Sequence, residues 1–221
     1  MKERILLSWS GGKDSALALH ELRRSGDYEI AAILTTVTEG TGRIGMHAVP
    51  RELVVRQGGA LGVPLREIAM PAFPPNDVYE ARWRSVLEDY RAEGIHAVAF
   101  GDLFLEDIRD YRERCLDAIG MHGVYPIWRR DTPSLAREFI DGGFRAVLVA
   151  IDLRALDRSF AGRSFDRELL ADLPPGVDPC GENGEFHTFV FDGPEFRAPV
   201  AFRRGEVREE GTFAFCDLSS S

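Results

Sequence analysis

The chain has 221 residues, 44% of them hydrophobic and 29% charged, and 36 acidic against 27 basic side chains leave it at −9. This is the balance of an ordinary globular protein with enough length to bury a core; it excludes a disordered chain and counts against a broad nucleic-acid-binding surface. Three scattered cysteines (Cys115, Cys180, Cys216) exclude a disulfide framework or a paired zinc motif, no apolar run approaches the roughly 18 residues of a membrane span, and a reducing cytoplasm is the expected compartment.

Short apolar runs alternate with helix-period segments along the first two thirds of the chain. Arg4–Trp9 reads as a buried strand, Ala16–Arg24 as a helix, and Glu29–Thr36 as the next strand. Arg51–Leu61 is helical and Leu65–Ala69 a brief strand. From Asn76 to Glu93, Tyr79, Trp83, Val86, Leu87 and Tyr90 form one helical stripe, with Asn76 placed to cap it. Ala97–Phe100 reads as a strand and Leu105–Ile119 as a helix carrying Leu105, Ile108, Cys115 and Ile119 on one face. A strand at Val124–Ile127, a helix around Ser134–Ile140 and a strand at Ala146–Ile151 complete the alternation. Strands separated by helices predict a doubly wound, Rossmann-like α/β domain built on a parallel sheet, over residues 1–156.

The texture then changes. Ser164–Leu173 reads as one more helix, the breaker-rich stretch PPGVDPCGENGE follows, and short apolar runs lie at Phe186–Phe191, Val200–Phe202 and Thr212–Phe215. Residues 157–221 are expected to form a small β-rich appendage. The charge-dense run Asp107–Arg114 mixes signs and includes an i,i+4 Asp110/Arg114 pair, as a solvated helix face does.

Two loops concentrate chemistry. The first, Ser10-Gly11-Gly12-Lys13-Asp14-Ser15, joins the first strand directly to the first helix. Its glycines allow a sharp turn close to a ligand, and the amides that open the following helix suit an anion. Ser10 and Ser15 add hydroxyls, and Lys13 adds a cation. Lysine otherwise occurs only at Lys2, so position 13 keeps a lysine where every other interior basic residue is arginine. Asp14 fits a phosphate cradle where a metal or the helix N-terminus offsets its charge. Neither the GxxxxGK[ST] nor the GxGxxG spacing is present. The second loop places Glu182 and Glu185 around a glycine, next to His187 and near Cys180. Two carboxylates at that spacing suit an ammonium ion, an amine or Mg²⁺, and an ordinary surface turn is the alternative.

The first hexapeptide resembles the pyrophosphate-loop motif SGGxDS of the ATP pyrophosphatase superfamily. Together with GMHAVP (Gly45–Pro50), LGVPL (Leu61–Leu65), FGDLFLEDIRDYRE (Phe100–Glu113) and GENGEFHTFVFDGPEF (Gly181–Phe196), it resembles the diphthine–ammonia ligase family over nearly the whole chain. The resemblance implies an AMP-forming amide ligase. It would adenylate a carboxylate, that of diphthine on elongation factor 2 or of a small molecule such as a corrinoid, and amidate it with ammonia. It implies ATP and Mg²⁺ as cofactors; the apolar runs give no membrane partner, the acidic balance counts against nucleic acid, and a homo-oligomer stays open. A tRNA-modifying enzyme of the same superfamily and a non-catalytic nucleotide-binding regulator are the other readings.

By the same resemblance, Ser10, Gly11, Gly12, Lys13, Asp14 and Ser15 would hold the ATP phosphates, with Asp14 touching Mg²⁺. Gly101 and Asp102, at the end of a strand, would meet the nucleotide at the carboxyl edge of the sheet. His47 would be a nucleotide contact or a loop histidine. Glu182, Glu185 and His187 would serve the acceptor or ammonia side, with His187, whose ordinary pKa lies near 6.5, as a general base. Cys180 could react only with a lowered pKa, and Cys115 is expected to pack on an apolar helical face.

Overall fold

The structure, a computed structural model, describes residues 2–45 and 49–221. In chain order the elements are β1 (Glu3–Ser8), α1 (Lys13–Ser25), β2 (Tyr28–Thr38), β3 (Arg43–Ile44), β4 (Val49–Pro50), α2 (Arg51–Leu61), β5 (Leu65–Met70), α3 (Asn76–Ala92), β6 (Ala97–Ala99), α4 (Glu106–Asp117), β7 (His122–Val124), α5 (Thr132–Asp141), β8 (Arg145–Asp152), α6 (Arg167–Asp172), β9 (Phe186–Asp192), β10 (Phe202–Glu210) and β11 (Phe213–Ser220). They form two compact units. Unit 1 takes Met1–Ser10, Asp14–Gly42 and Val63–Arg129; unit 2 takes Gly11–Lys13, Arg43–Gly62 and Arg130–Ser221.

In unit 1, β5, β2, β1, β6 and β7 lie side by side in that order, all parallel. The chain runs outward from β1 through β2 to β5, then resumes at β6 on the other side of β1. The order therefore reverses between β1 and β6, which opens a crevice at the carboxyl ends of those strands. Leu6, Leu34 and Val98 of the sheet pack against Val86 and Leu87 of α3 and Leu116 of α4 in one buried cluster. Those helices turn their apolar stripes inward, as the 3.6-residue spacing predicts. Asn76 does not cap α3: Pro75 holds the cap position and offers no side-chain cap, Asn76 is the first helical residue, and Asp77 Oδ1 accepts the Val78 N–H at 2.9 Å in the first turn. Proline is well suited to a helix start because its missing N–H would have had no partner there.

Unit 2 contains an antiparallel sheet in the order β10, β11, β8, β9. This corrects the expectation for Ala146–Ile151, which was placed in the parallel sheet. Those residues belong to β8, which is antiparallel to both β9 and β11. Every residue of β8 after Arg145 is buried, so its apolar run reflects a strand covered on both faces, which parallel sheets do not monopolise. In the same unit Phe139 stacks on Phe144 at 4.9 Å and meets Phe165 edge-on at 5.4 Å. The helix expected over Ser164–Leu173 contracts to α6, whose first turn is capped by Asp166 accepting the Leu169 N–H at 2.9 Å. No described helix is long and apolar enough to cross a membrane.

Candidate functional site

In unit 2 the segment Gly11–Lys13 is fastened to β9. Gly11 has φ +82, a left-handed conformation that glycine alone adopts without strain. Gln57 of α2 is fully buried, and its Nε2 donates to the Gly11 carbonyl at 3.0 Å and to the Val190 carbonyl at 2.6 Å. The Val190 N–H donates to the same Gly11 carbonyl at 2.9 Å. A Cβ at Gly11 would stand 2.9 Å from Gln57 Oε1, so glycine is required by contact as well as by conformation. Two residues on, the Lys13 N–H donates to Thr188 Oγ1 at 3.0 Å. The Thr188 hydroxyl and the Val190 backbone N–H thus hold the turn at two points. Lys13 is only 3% exposed, with its ammonium 5.7 Å from the centre of the Phe186 ring, within range of a cation–π contact.

The glutamate-rich loop enters the same strand. Glu185 is 7% exposed, and its carboxylate accepts the Asp178 N–H at 2.9 Å, the Asn183 N–H at 2.9 Å and the Asn183 side-chain amide at 3.0 Å. Burial alone would raise its pKa, but these hydrogen bonds outweigh it and hold the carboxyl below the usual range. Glu185 thus organises its own loop. Asp178 braces the other side, accepting the Cys180 N–H at 2.8 Å and the Thr132 hydroxyl at 2.6 Å. Gly181 (φ +71) permits a close approach, since a Cβ there would fall 2.8 Å from the Phe186 carbonyl. Cys180 is buried with its thiol 3.5 Å from the Thr132 carbonyl, which is a packed position and an inaccessible one.

His187, half-buried on β9 beside Thr188, has its pKa pushed down to about 4, first by burial and then by the charge of Lys13. The imidazole is therefore neutral at pH 7. In the unfolded chain it would titrate near 6.5, so between about pH 4 and 6.5 the unfolded state holds more protons. Stability contributed by His187 is present above pH 6.5 and is lost as pH falls toward 4. Lowering the pH from 7.5 to 5 is expected to remove about 1–2 kcal/mol of folding free energy, allowing for partial exposure. His187→Gln should flatten that part of the profile; denaturant unfolding at the two pH values measures it, and an unchanged slope in the variant would refute the assignment.

In unit 1, Ser10 Oγ and Ser15 Oγ lie 3.4 Å apart, and Asp14 sits in the first turn of α1. A Cβ at Gly101 would fall 2.7 Å from the Asp14 carbonyl carbon and 3.0 Å from the Ser15 nitrogen, so this glycine lets the segment after β6 touch the start of α1. Asp102 pairs with Arg112, with Nη2 donating to Oδ1 at 3.2 Å and Nε 2.8 Å from Oδ2 in a charge contact without hydrogen-bond alignment. Its expected contact with a ligand therefore competes with an ion pair already made. Among the described residues no group of three or more His, Cys, Asp or Glu side chains converges to hold a metal. His47 lies outside the described residues.

The structure therefore joins Gly11, Gly12 and Lys13 to the strand carrying His187, and Gly101 to Asp14 and Ser15. Gln57, Thr188 and Asp178 brace these two loops and were not among the expected site residues. Gln57 had a legible signal: it is a polar residue at a position of α2 where Leu53, Val54, Gly58 and Leu61 are the other buried members.

Comparison with known proteins places both halves of the chain. Residues 1–123 match a family described as diphthamide synthase N-terminal domain, and residues 131–220 one described as diphthamide synthase C-terminal domain. A diphthine–ammonia ligase of Schizosaccharomyces pombe is 24% identical over 97% of this chain, which spans 38% of that protein's length. One of Homo sapiens is 23% identical over 98% of this chain and 89% of its own length. A solved structure described as a predicted subunit of tRNA methyltransferase from Methanocaldococcus jannaschii aligns with TM-score 0.41 and 17% identity, over 77% of this chain and 87% of that one, a likeness too low to carry an argument.

Proposed function

The chain belongs to the diphthamide synthase family, and from that premise we propose that it is an ATP-dependent amide ligase that adenylates the carboxylate of diphthine and amidates it with ammonia. The observation that carries this reading is the fastening of Gly11–Lys13 onto β9. That strand emerges directly from the Glu182–Glu185 loop, so two of the motif blocks meet in one unit.

The glycine turn fits a polyphosphate. Gly11 and Gly12 bring backbone close to the ligand, and Lys13 supplies a compact positive charge. Ser10 and Ser15 add hydroxyls, and Gly101 and Asp102 serve the nucleotide side at the crevice between β1 and β6. Asp14 would be the carboxylate to hold a Mg²⁺ ion together with the substrate phosphates, where the ion would offset their negative charge. An oxygen of the acceptor carboxylate attacks the α-phosphorus; the new O–P bond forms as the bond to the β-phosphate oxygen breaks, and pyrophosphate leaves. The ammonia nitrogen then attacks the acyl carbon, and AMP departs with the oxygen. Glu182 attracts the ammonium ion and Glu185 holds the loop that presents it. The proton that the attacking nitrogen gives up leaves to solvent, because an imidazole with a pKa of about 4 is too weak a base to take it; His187 is a neutral neighbour of Lys13 and not the expected general base.

Nucleotide product analysis in the presence of acceptor and ammonium tests this. The expected products are AMP and pyrophosphate in step with amide formation; ADP and phosphate would sink the proposal.

A further inference from the structure

Arg109 lies in α4, within the Phe100–Glu113 block, and has no role in the reaction as described so far. Its guanidinium carbon stands 4.9 Å from the centre of the Tyr125 ring and 4.9 Å from that of Trp128. The two rings meet edge to face at 61°, with centres 5.8 Å apart, and form a corner around the guanidinium. The corner is built by the surrounding backbone. A Cβ at Gly123 would fall 2.7 Å from the Tyr125 hydroxyl, and the Trp128 N–H donates to the Tyr125 carbonyl at 3.2 Å. Burial, then the nearby Glu113 charge, push the Tyr125 hydroxyl above its ordinary pKa, so the ring stays a neutral phenol.

Among the described residues no carboxylate pairs with Arg109. Its neighbours differ: Arg112 pairs with Asp102, and Arg129 with Glu106. A half-buried guanidinium fixed by stacking loses little further freedom on binding, and its planar fork of donors matches two oxygens of a carboxylate or phosphate. Its position is apt. Phe100 stacks on Tyr125 at 5.7 Å, and the Phe100 N–H donates to the Val124 carbonyl. The corner therefore lies at the carboxyl ends of β6 and β7, the edge at which Gly101 meets Asp14 and Ser15.

We propose that Arg109 is an oxyanion-binding residue at this edge, taking two oxygens of a bound ligand in its fork. The inference rests on the proposed function only for the two sources of that oxyanion, the nucleotide phosphate and the acceptor carboxylate.

The test uses the whole chain, labelled with ¹⁵N, and follows the arginine Nε resonance that disappears in Arg109→Lys. AMP, inorganic pyrophosphate and glutarate are titrated separately. A shift with AMP or pyrophosphate assigns the phosphate as the source, and a shift with glutarate alone assigns a carboxylate. In either case the Kd of the active probe should rise at least tenfold in Arg109→Gln, and Arg109→Lys should recover only part, because a point charge does not bridge two oxygens. A resonance that stays still with all three probes, or a Kd unchanged in Arg109→Gln, overturns the proposal. The signal needs no turnover, so a chain that forms no amide yet shows the shift counts against the reaction alone.

Discussion

Gly11→Ala is expected to lower amide formation by about 100-fold or more. The left-handed backbone costs an L-residue about 1–2 kcal/mol, and the new methyl would press on Gln57 Oε1 at 2.9 Å. Gln57 cannot yield without loosening its bonds to the Gly11 and Val190 carbonyls, each contributing on the order of 1 kcal/mol. A displacement costing about 3 kcal/mol in the turn converts to roughly 100-fold in rate. Gly40→Ala is the control, because Gly40 has φ +81 but nothing within 4 Å of its Cβ position. It carries the conformational strain without the contact. Rates at saturating ATP, with unfolding midpoints for both variants, measure the difference; near-normal turnover in Gly11→Ala would mean that the turn is not part of the site.

Lys13→Arg should cost tenfold or more in turnover despite keeping the charge. Lys13 is 3% exposed between its Thr188-bound N–H and the Phe186 ring, where a broader planar group must move its neighbours. Lys13→Met separates charge from size and has a readout apart from activity. Lys13 is the second cause of the depressed His187 pKa, so removing its charge should raise that pKa part of the way from about 4 toward 6.5, with burial holding it below. The imidazole proton resonances followed against pH give the value. A His187 titration unmoved in Lys13→Met would dissociate the two groups.

The parts of the fold legible in the sequence are those whose signal is local. Arg51–Leu61 forms a helix over the expected residues because its apolar spacing ends at Gly62, which takes the left-handed C-cap conformation. The order of β8 among the strands was not local information. A run such as Ala146–Ile151 says that both faces are covered, while its neighbours β9 and β11 come later in the chain. β10 was largely invisible for the opposite reason. Phe202–Glu210 is an edge strand whose residues are charged and exposed along most of its length, a composition that opposes pairing with other chains and reads as a loop. In the site, the two glycine-rich motifs announced themselves, but the low basicity of His187 and the loop-bracing role of Glu185 depend on groups that only folding assembles.

The route of the chain through unit 2 also imposes a timetable on synthesis. Gly11–Lys13 is among the first segments made, yet the bond from Lys13 to Thr188 spans 175 residues and that from Gln57 to Val190 spans 133. Closures of that length lose chain entropy before any contact compensates, which makes them slow steps. The parallel strands of unit 1 are all present once Val124 has been added, while the glycine turn still lacks the strand that grips it. On a growing chain, the turn that is translated first reaches its working shape only after β9 has emerged, so truncated products would carry the motif without the geometry.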